Sequence, residues 1–121
     1  MNEFLAIAKA LADEGRVRAL MALSEGELCL CEIVEVLELS PSTVSKHMSV
    51  LQQAGLVARR KEGRWRYYRL AGDEAPQVVR DALGWTLASL EREGAVAGDR
   101  ETLARVRQSG REELTACYGG N

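Results

Sequence analysis

Two cysteines one residue apart, Cys29 and Cys31 in the run Glu27-Leu-Cys-Leu-Cys-Glu-Ile33, are the side chains of this sequence best suited to chemistry. Thiolates are soft donors, and a pair of them favours soft, thiophilic heavy ions over hard, oxygen-seeking ones. A third cysteine, Cys117, stands near the far end and is a candidate third sulfur, from the same or a partner subunit; an idle thiol is the alternative. Three cysteines, two of them this close, make no disulfide framework, which fits a reducing cytoplasm with thiols free for ligation or redox chemistry. The alternative for Cys29 and Cys31 is that they act as small buried hydrophobes.

The elements that must position these thiols follow from apolar spacing. Phe4, Ile7, Ala8 and Leu11 repeat at helical intervals, which predicts a first helix over 3–13. Val17, Leu20 and Met21 mark a second helix ending near Ser24, and Leu30, Ile33, Val34 and Leu37 give a third over 31–37 its apolar face. Ser40 is a good N-cap, Pro41 suits the first helical position, and a fourth helix runs from there to about residue 54, before Gly55. Its faces separate: Val44, Met48 and Leu51 pack, while Ser42, Ser45, Lys46 and Ser49 stay polar. Residues 56–61 and 64–70 read as strands around Glu62-Gly63, a hairpin. A long fifth helix over 74–94 carries the stripe Val78, Val79, Ala82, Leu83, Leu87 and Leu90, until Gly94, Ala95 and Gly98 break it. Asp99 is positioned to cap a sixth helix through about residue 114. The chain of 121 residues thus reads as mainly α with a β-hairpin: one domain over 1–95, then a helical extension and loose tail over 96–121.

Two short helices joined by a tight turn and followed by a basic hairpin make a winged helix-turn-helix. Charge distribution agrees. The net charge is −2, yet residues 40–70 hold seven basic side chains against one acid, a polyanion-binding face on an acidic body. Ser42, Thr43, Ser45, Lys46 and His47 are candidates to reach base edges in the major groove of double-stranded DNA. Ser40 and Ser42 sit where helix-terminal amides favour phosphate. Arg59, Arg60, Lys61, Arg64 and Arg66 are candidates to hold the backbone or enter the minor groove. Trp65, Tyr67 and Tyr68 read as packing for the hairpin.

Together, Glu27-Leu-Cys-Leu-Cys-Glu-Ile33, Leu39-Ser-Pro-Ser-Thr-Val-Ser-Lys-His-Met48, Leu51-Gln-Gln-Ala-Gly-Leu-Val57 and Arg60-Lys-Glu-Gly-Arg-Trp-Arg-Tyr-Tyr68 resemble the ArsR/SmtB family of metalloregulatory repressors, and most closely its arsenic-responsive branch. The resemblance covers about residues 4–95. It implies a homodimer that binds operator DNA and dissociates when trivalent arsenic or antimony binds. It also implies a dimer seam on the first and fifth helices, with Phe4, Ile7, Val79, Leu83, Leu87 and Leu90 as its residues here; the fifth helix's apolar stripe is an independent reason for such a seam. Two recognition helices would then meet half-sites about 34 Å apart. The Cys-x-Cys of the arsenic branch maps onto Cys29 and Cys31. A further cysteine found in many relatives is replaced by Val34, which leaves Cys117, an external thiol or a two-sulfur site to complete coordination.

In an ideal helix, residues two apart point about 200° away from each other. Capture of one ion by both sulfurs therefore predicts unwinding at the start of the third helix and a shift of the fourth relative to the wing. Redox switching or sensing of cadmium, lead or bismuth uses the same residues. A thiol enzyme is disfavoured by the lack of Cys-x-x-Cys, a second histidine or a phosphate-binding glycine loop, and His47 alone makes no histidine-rich zinc site. A protein-binding module without DNA contacts is disfavoured by the basic block. No secretory signal and no run approaching the ~18 apolar residues of a membrane span is visible.

Overall fold

A computed structural model describes residues 1–110. Its elements are α1 (Asn2–Ala10), α2 (Glu14–Leu23), β1 (Leu28–Cys29), α3 (Leu30–Leu37), α4 (Pro41–Gln53), β2 (Val57–Glu62), β3 (Trp65–Leu70), α5 (Gln77–Leu90) and α6 (Gly94–Ser109). The predicted order of helices around one hairpin holds. The addition is β1, two residues long, which pairs antiparallel with β3 and makes a three-stranded sheet in the order β1-β3-β2. Two residues are too few for an alternation pattern, so periodicity had no means of finding this strand.

Caps set the helix starts. The Asp13 carboxylate accepts the Arg16 N–H at 3.1 Å and starts α2. Ser40 Oγ accepts the Thr43 N–H at 3.2 Å and Pro41 follows it, starting α4. Between α3 and α4, Glu38 takes the left-handed conformation (φ 55°) that turns the chain sharply. Gly63, at φ 62°, opens the two-residue loop between Glu62 and Trp65, where a side chain would be strained.

Leu20, Leu28, Ile33, Leu37, Val44, Met48, Leu51, Leu56 and Tyr68 form one core shared by α2, α3, α4 and the sheet. The apolar face predicted for α4 is the buried one. The C-terminal elements depart from expectation. Instead of spanning 74–94, α5 stops at Leu90, and Gly94 and Gly98, expected to break helix, lie within α6. Asp99 is no cap: it sits inside α6, buried, with its two carboxylate oxygens 2.9 and 2.8 Å from Nε and Nη2 of Arg18 on α2. Burial of Val96 and Leu103, together with that fork, outweighs the ~1 kcal/mol that each helical glycine costs. The expected C-terminal extension is thus packed on α2 and α3 through residue 109.

Candidate sensing site and nucleic-acid interface

Cys29 ends β1 and is the N-cap of α3, with extended backbone (φ −82°, ψ 160°); Cys31 lies in the first helical turn. The strand-to-helix transition falls between the two thiols. The divergence expected of two helical residues does not arise, because Cys29 is already outside the helix. Both thiols lie in one buried cluster. There the interaction with Cys31 pushes the Cys29 thiol up, with burial adding to the shift, and the interaction with Cys29 holds Cys31 below the ordinary thiol value. Glu32 completes a capping box: its Oε1 accepts the Cys29 N–H at 2.9 Å while the Cys29 sulfur accepts the Glu32 N–H. A buried carboxylate is thereby held beside the thiol pair.

The pair is also covered, each cysteine being 1 % exposed. Tyr67 and Trp65 of β3 and Val106 of α6 form the layer packed on it. Beside Val106, a groove of about 320 Å³ runs between α3 and α6, bordered by Glu35, Glu38, Arg105 and Ser109. Among the described residues no three His, Cys, Asp or Glu side chains converge as a metal-binding group. Cys117, the candidate third sulfur, lies outside the described residues.

The candidate DNA-facing residues divide. On α4, Ser40, Ser42 and Lys46 are exposed, and Thr43 and Ser45 are half-buried beside them. His47 is turned inward. Its Nε2 stands 3.5 Å from Asp13 Oδ2, and a Cβ on Gly15 would come within 2.9 Å of that nitrogen. Gly15 thus admits the imidazole, which ties α4 to the start of α2. On the hairpin, Arg59, Lys61 and Arg64 are exposed and Arg66 is half-buried; none of these four makes an ion pair among the described residues. Arg60 is different. Its Nε and Nη2 grip Glu27 at 3.0 and 2.7 Å, its Nη1 meets Glu62 at 2.6 Å, and its guanidinium lies 4.3 Å over the Tyr67 ring.

The candidate seam residues also divide. Ile7, Val79 and Leu83 are buried within the protomer, and Leu87 and Leu90 are half-buried. Phe4 is 60 % exposed, and so is a residue the sequence reading passed over, Trp85, at 69 %. With Leu11, Val78 and Ala82 these two border an apolar groove of about 580 Å³ between α1 and α5. The spacing of Val78, Ala82 and Trp85 (i, i+4, i+7) was the available signal for this outer face.

Comparison with known proteins agrees with this arrangement. Residues 13–59 match the family described as bacterial regulatory protein, arsR family. The arsenic resistance transcriptional regulator ArsR1 of Pseudomonas putida is 47 % identical over 72 residues, 59 % of this chain and 56 % of that protein, so the alignment spans little more than half of that relative. The arsenic resistance transcriptional regulator ArsR2 of the same species is 42 % identical over 80 residues, 65 % of this chain and 69 % of the relative. Among solved structures, a homodimeric winged helix-turn-helix DNA-binding domain from Mycobacterium bovis superposes with a TM-score of 0.63 at 30 % identity, covering 74 % of this chain and 81 % of that one. With that fold, and with this identity across more than two thirds of a relative, the chain belongs to the arsR family of bacterial regulatory proteins.

Proposed function

We propose that the protein is a transcriptional repressor that binds operator DNA as a homodimer and lets go when trivalent arsenic or antimony is captured by Cys29 and Cys31. The observation that carries this reading is the thiol pair itself: two cysteines in one buried cluster, at the junction of the sheet and the helix-turn-helix. The donors fit a soft trivalent ion and suit a hard one poorly. Each thiol displaces one hydroxyl of arsenous acid. A sulfur–arsenic bond forms, an arsenic–oxygen bond breaks, and the thiol proton leaves with the hydroxyl as water, without redox change. Cys29 and Cys31, packed in one cluster, supply the two sulfur bonds.

Cys117 is the candidate for the third coordination position, with an external thiol, or a two-sulfur site that leaves Cys117 idle, as the other outcomes. Val106 rests on the thiols and α6 ends at Ser109. From Gly110, Cys117 is seven residues further along a chain that spans at most ~25 Å over that length. On the DNA side, Ser42, Thr43, Ser45 and Lys46 present the groove-reading face, and Arg59, Lys61, Arg64 and Arg66 supply phosphate contacts. The apolar α1–α5 groove, with Phe4 and Trp85 at its surface, takes the same face of a second copy. Thiols free for ligation fit a reducing cytoplasm. Among the described residues no helix is long and apolar enough to cross a membrane.

The test is operator binding on a palindrome upstream of the repressor's own promoter, titrated with arsenite, antimonite, cadmium, lead, bismuth and zinc. Arsenite and antimonite should release the wild type, and a Cys29→Ser, Cys31→Ser double variant should stay bound. Full release of the double variant by arsenite overturns the reading. Release only by mild oxidant, or only by cadmium, lead or bismuth, replaces the inducer while keeping the DNA function.

A further inference from the structure

The three strands of the sheet bring Cys29, Tyr67 and Arg60 into one row. Cys29 on β1 lies opposite Tyr67 on β3, and Arg60 on β2 lies opposite the same Tyr67. Residues directly opposite in an antiparallel ladder share a face and touch. The row ends in the guanidinium of Arg60, stacked on the Tyr67 ring and forked onto Glu27. Glu27 is two residues before Cys29, at the entry to β1. The remaining guanidinium nitrogen holds Glu62, next to the wing turn at Gly63. One side chain therefore joins the segment leading to the thiols, the ring packed on the thiols and the tip of the wing.

We infer that Arg60 is a positioning residue that couples the state of the thiol pair to the position of the wing, and not a phosphate contact. The inference rests on the repressor reading above and deepens it. The thiols are sealed under Tyr67, Trp65 and Val106, so an ion between the sulfurs displaces that layer. Close-packed layers do not absorb an added atom without movement. A shift of Tyr67 moves the surface on which Arg60 is stacked, and a shift of β1 moves Glu27, the other end of its grip. Both displacements reach the wing through the same guanidinium. The path runs through strands, because Cys29 is a strand residue. The unwinding of α3 predicted from helical geometry is not required.

Arginine and lysine separate the two roles. A phosphate contact tolerates lysine, a point charge of the same sign, whereas a planar fork stacked on an aromatic ring does not. Arg60→Lys should keep operator affinity within about threefold of wild type and keep its salt dependence. Its arsenite response should shrink from about a hundredfold loss of affinity to about tenfold or less. Glu27→Gln, which leaves every wing cation in place, should do the same. Arsenite capture, followed by the loss of free thiol, should be unchanged in both. A full arsenite response in both variants overturns the inference, as does weaker operator binding with a shallower salt dependence in Arg60→Ala, which removes the charge. A second arm needs no inducer, because coupling is reciprocal. Operator binding should change the alkylation rate of Cys29 and Cys31 severalfold in the wild type and not in Arg60→Lys; an equal change in both sinks the proposal. A wild type indifferent to arsenite would count against the inducer assignment, with the alkylation arm still deciding the role of Arg60.

Discussion

The two faces of the small sheet carry similar residues to different ends. One face reads Cys29, Tyr67, Arg60 across the strands, and the other reads Leu28, Tyr68, Arg59. Leu28 and Tyr68 enter the main core, leaving Arg59 exposed and without an ion pair among the described residues. Tyr67 and Cys29 instead form a separate layer with Val106, and Arg60 is engaged by two carboxylates and a ring. Arginines adjacent in sequence thus differ in their surroundings because a strand alternates its side chains. Counting positive charge cannot separate them; register can.

The largest expected effect breaks the first face at its source. Cys31→Ser should remove the arsenite response altogether, a change of about a hundredfold in operator affinity with inducer present, while leaving inducer-free binding intact. Mobility shift with and without arsenite measures it. Next in size is the support of the layer over the thiols. Asp99→Asn removes the charge that holds α6 to Arg18 and should cost about 2 kcal/mol, read by urea denaturation. Alkylation of Cys29 and Cys31 should become faster in the same variant, since Val106 sits on the element released. Unchanged alkylation would show that α6 is not what shields the thiols.

The second face should answer to salt. Arg59→Ala should weaken binding to every duplex by about five- to tenfold near physiological ionic strength and lower the salt slope by about one phosphate. Comparison with Arg60→Ala, which also removes a charge but whose slope should not move, is the sharpest test of the contrast between neighbours. The smallest effect concerns the seat of α4. Asp13→Ala loses the α2 cap and the partner of His47 and should cost about 1 kcal/mol at neutral pH. The Arg16 N–H, with His47 adding to it, holds the Asp13 carboxyl below its ordinary value near 3.8. Its stabilisation is therefore complete above that value and is lost as pH falls through the lowered one. Denaturation of wild type and variant should differ at pH 7 and converge in strong acid.

What could be read from the chain alone was what local rules decide. Capping at Ser40-Pro41, the apolar face of α4, the basic hairpin around Gly63 and the Cys-x-Cys pair are short-range signals, and all lie where periodicity and turn chemistry placed them. Three things needed the third dimension. Cys29 became a strand residue because β3, almost forty positions later, offered a free edge. Asp99 lies inside a helix instead of starting one because Arg18, on α2, gave its carboxylate a partner worth more than a cap. Val79 and Leu83 turned inward and left the outer face of α5 to Trp85, since a helix's apolar stripe is divided between core and surface only once its neighbours are in place. Composition and spacing name the groups able to act, but contacts between residues far apart in the chain decide which are buried, which are paired and which stay free to meet a ligand.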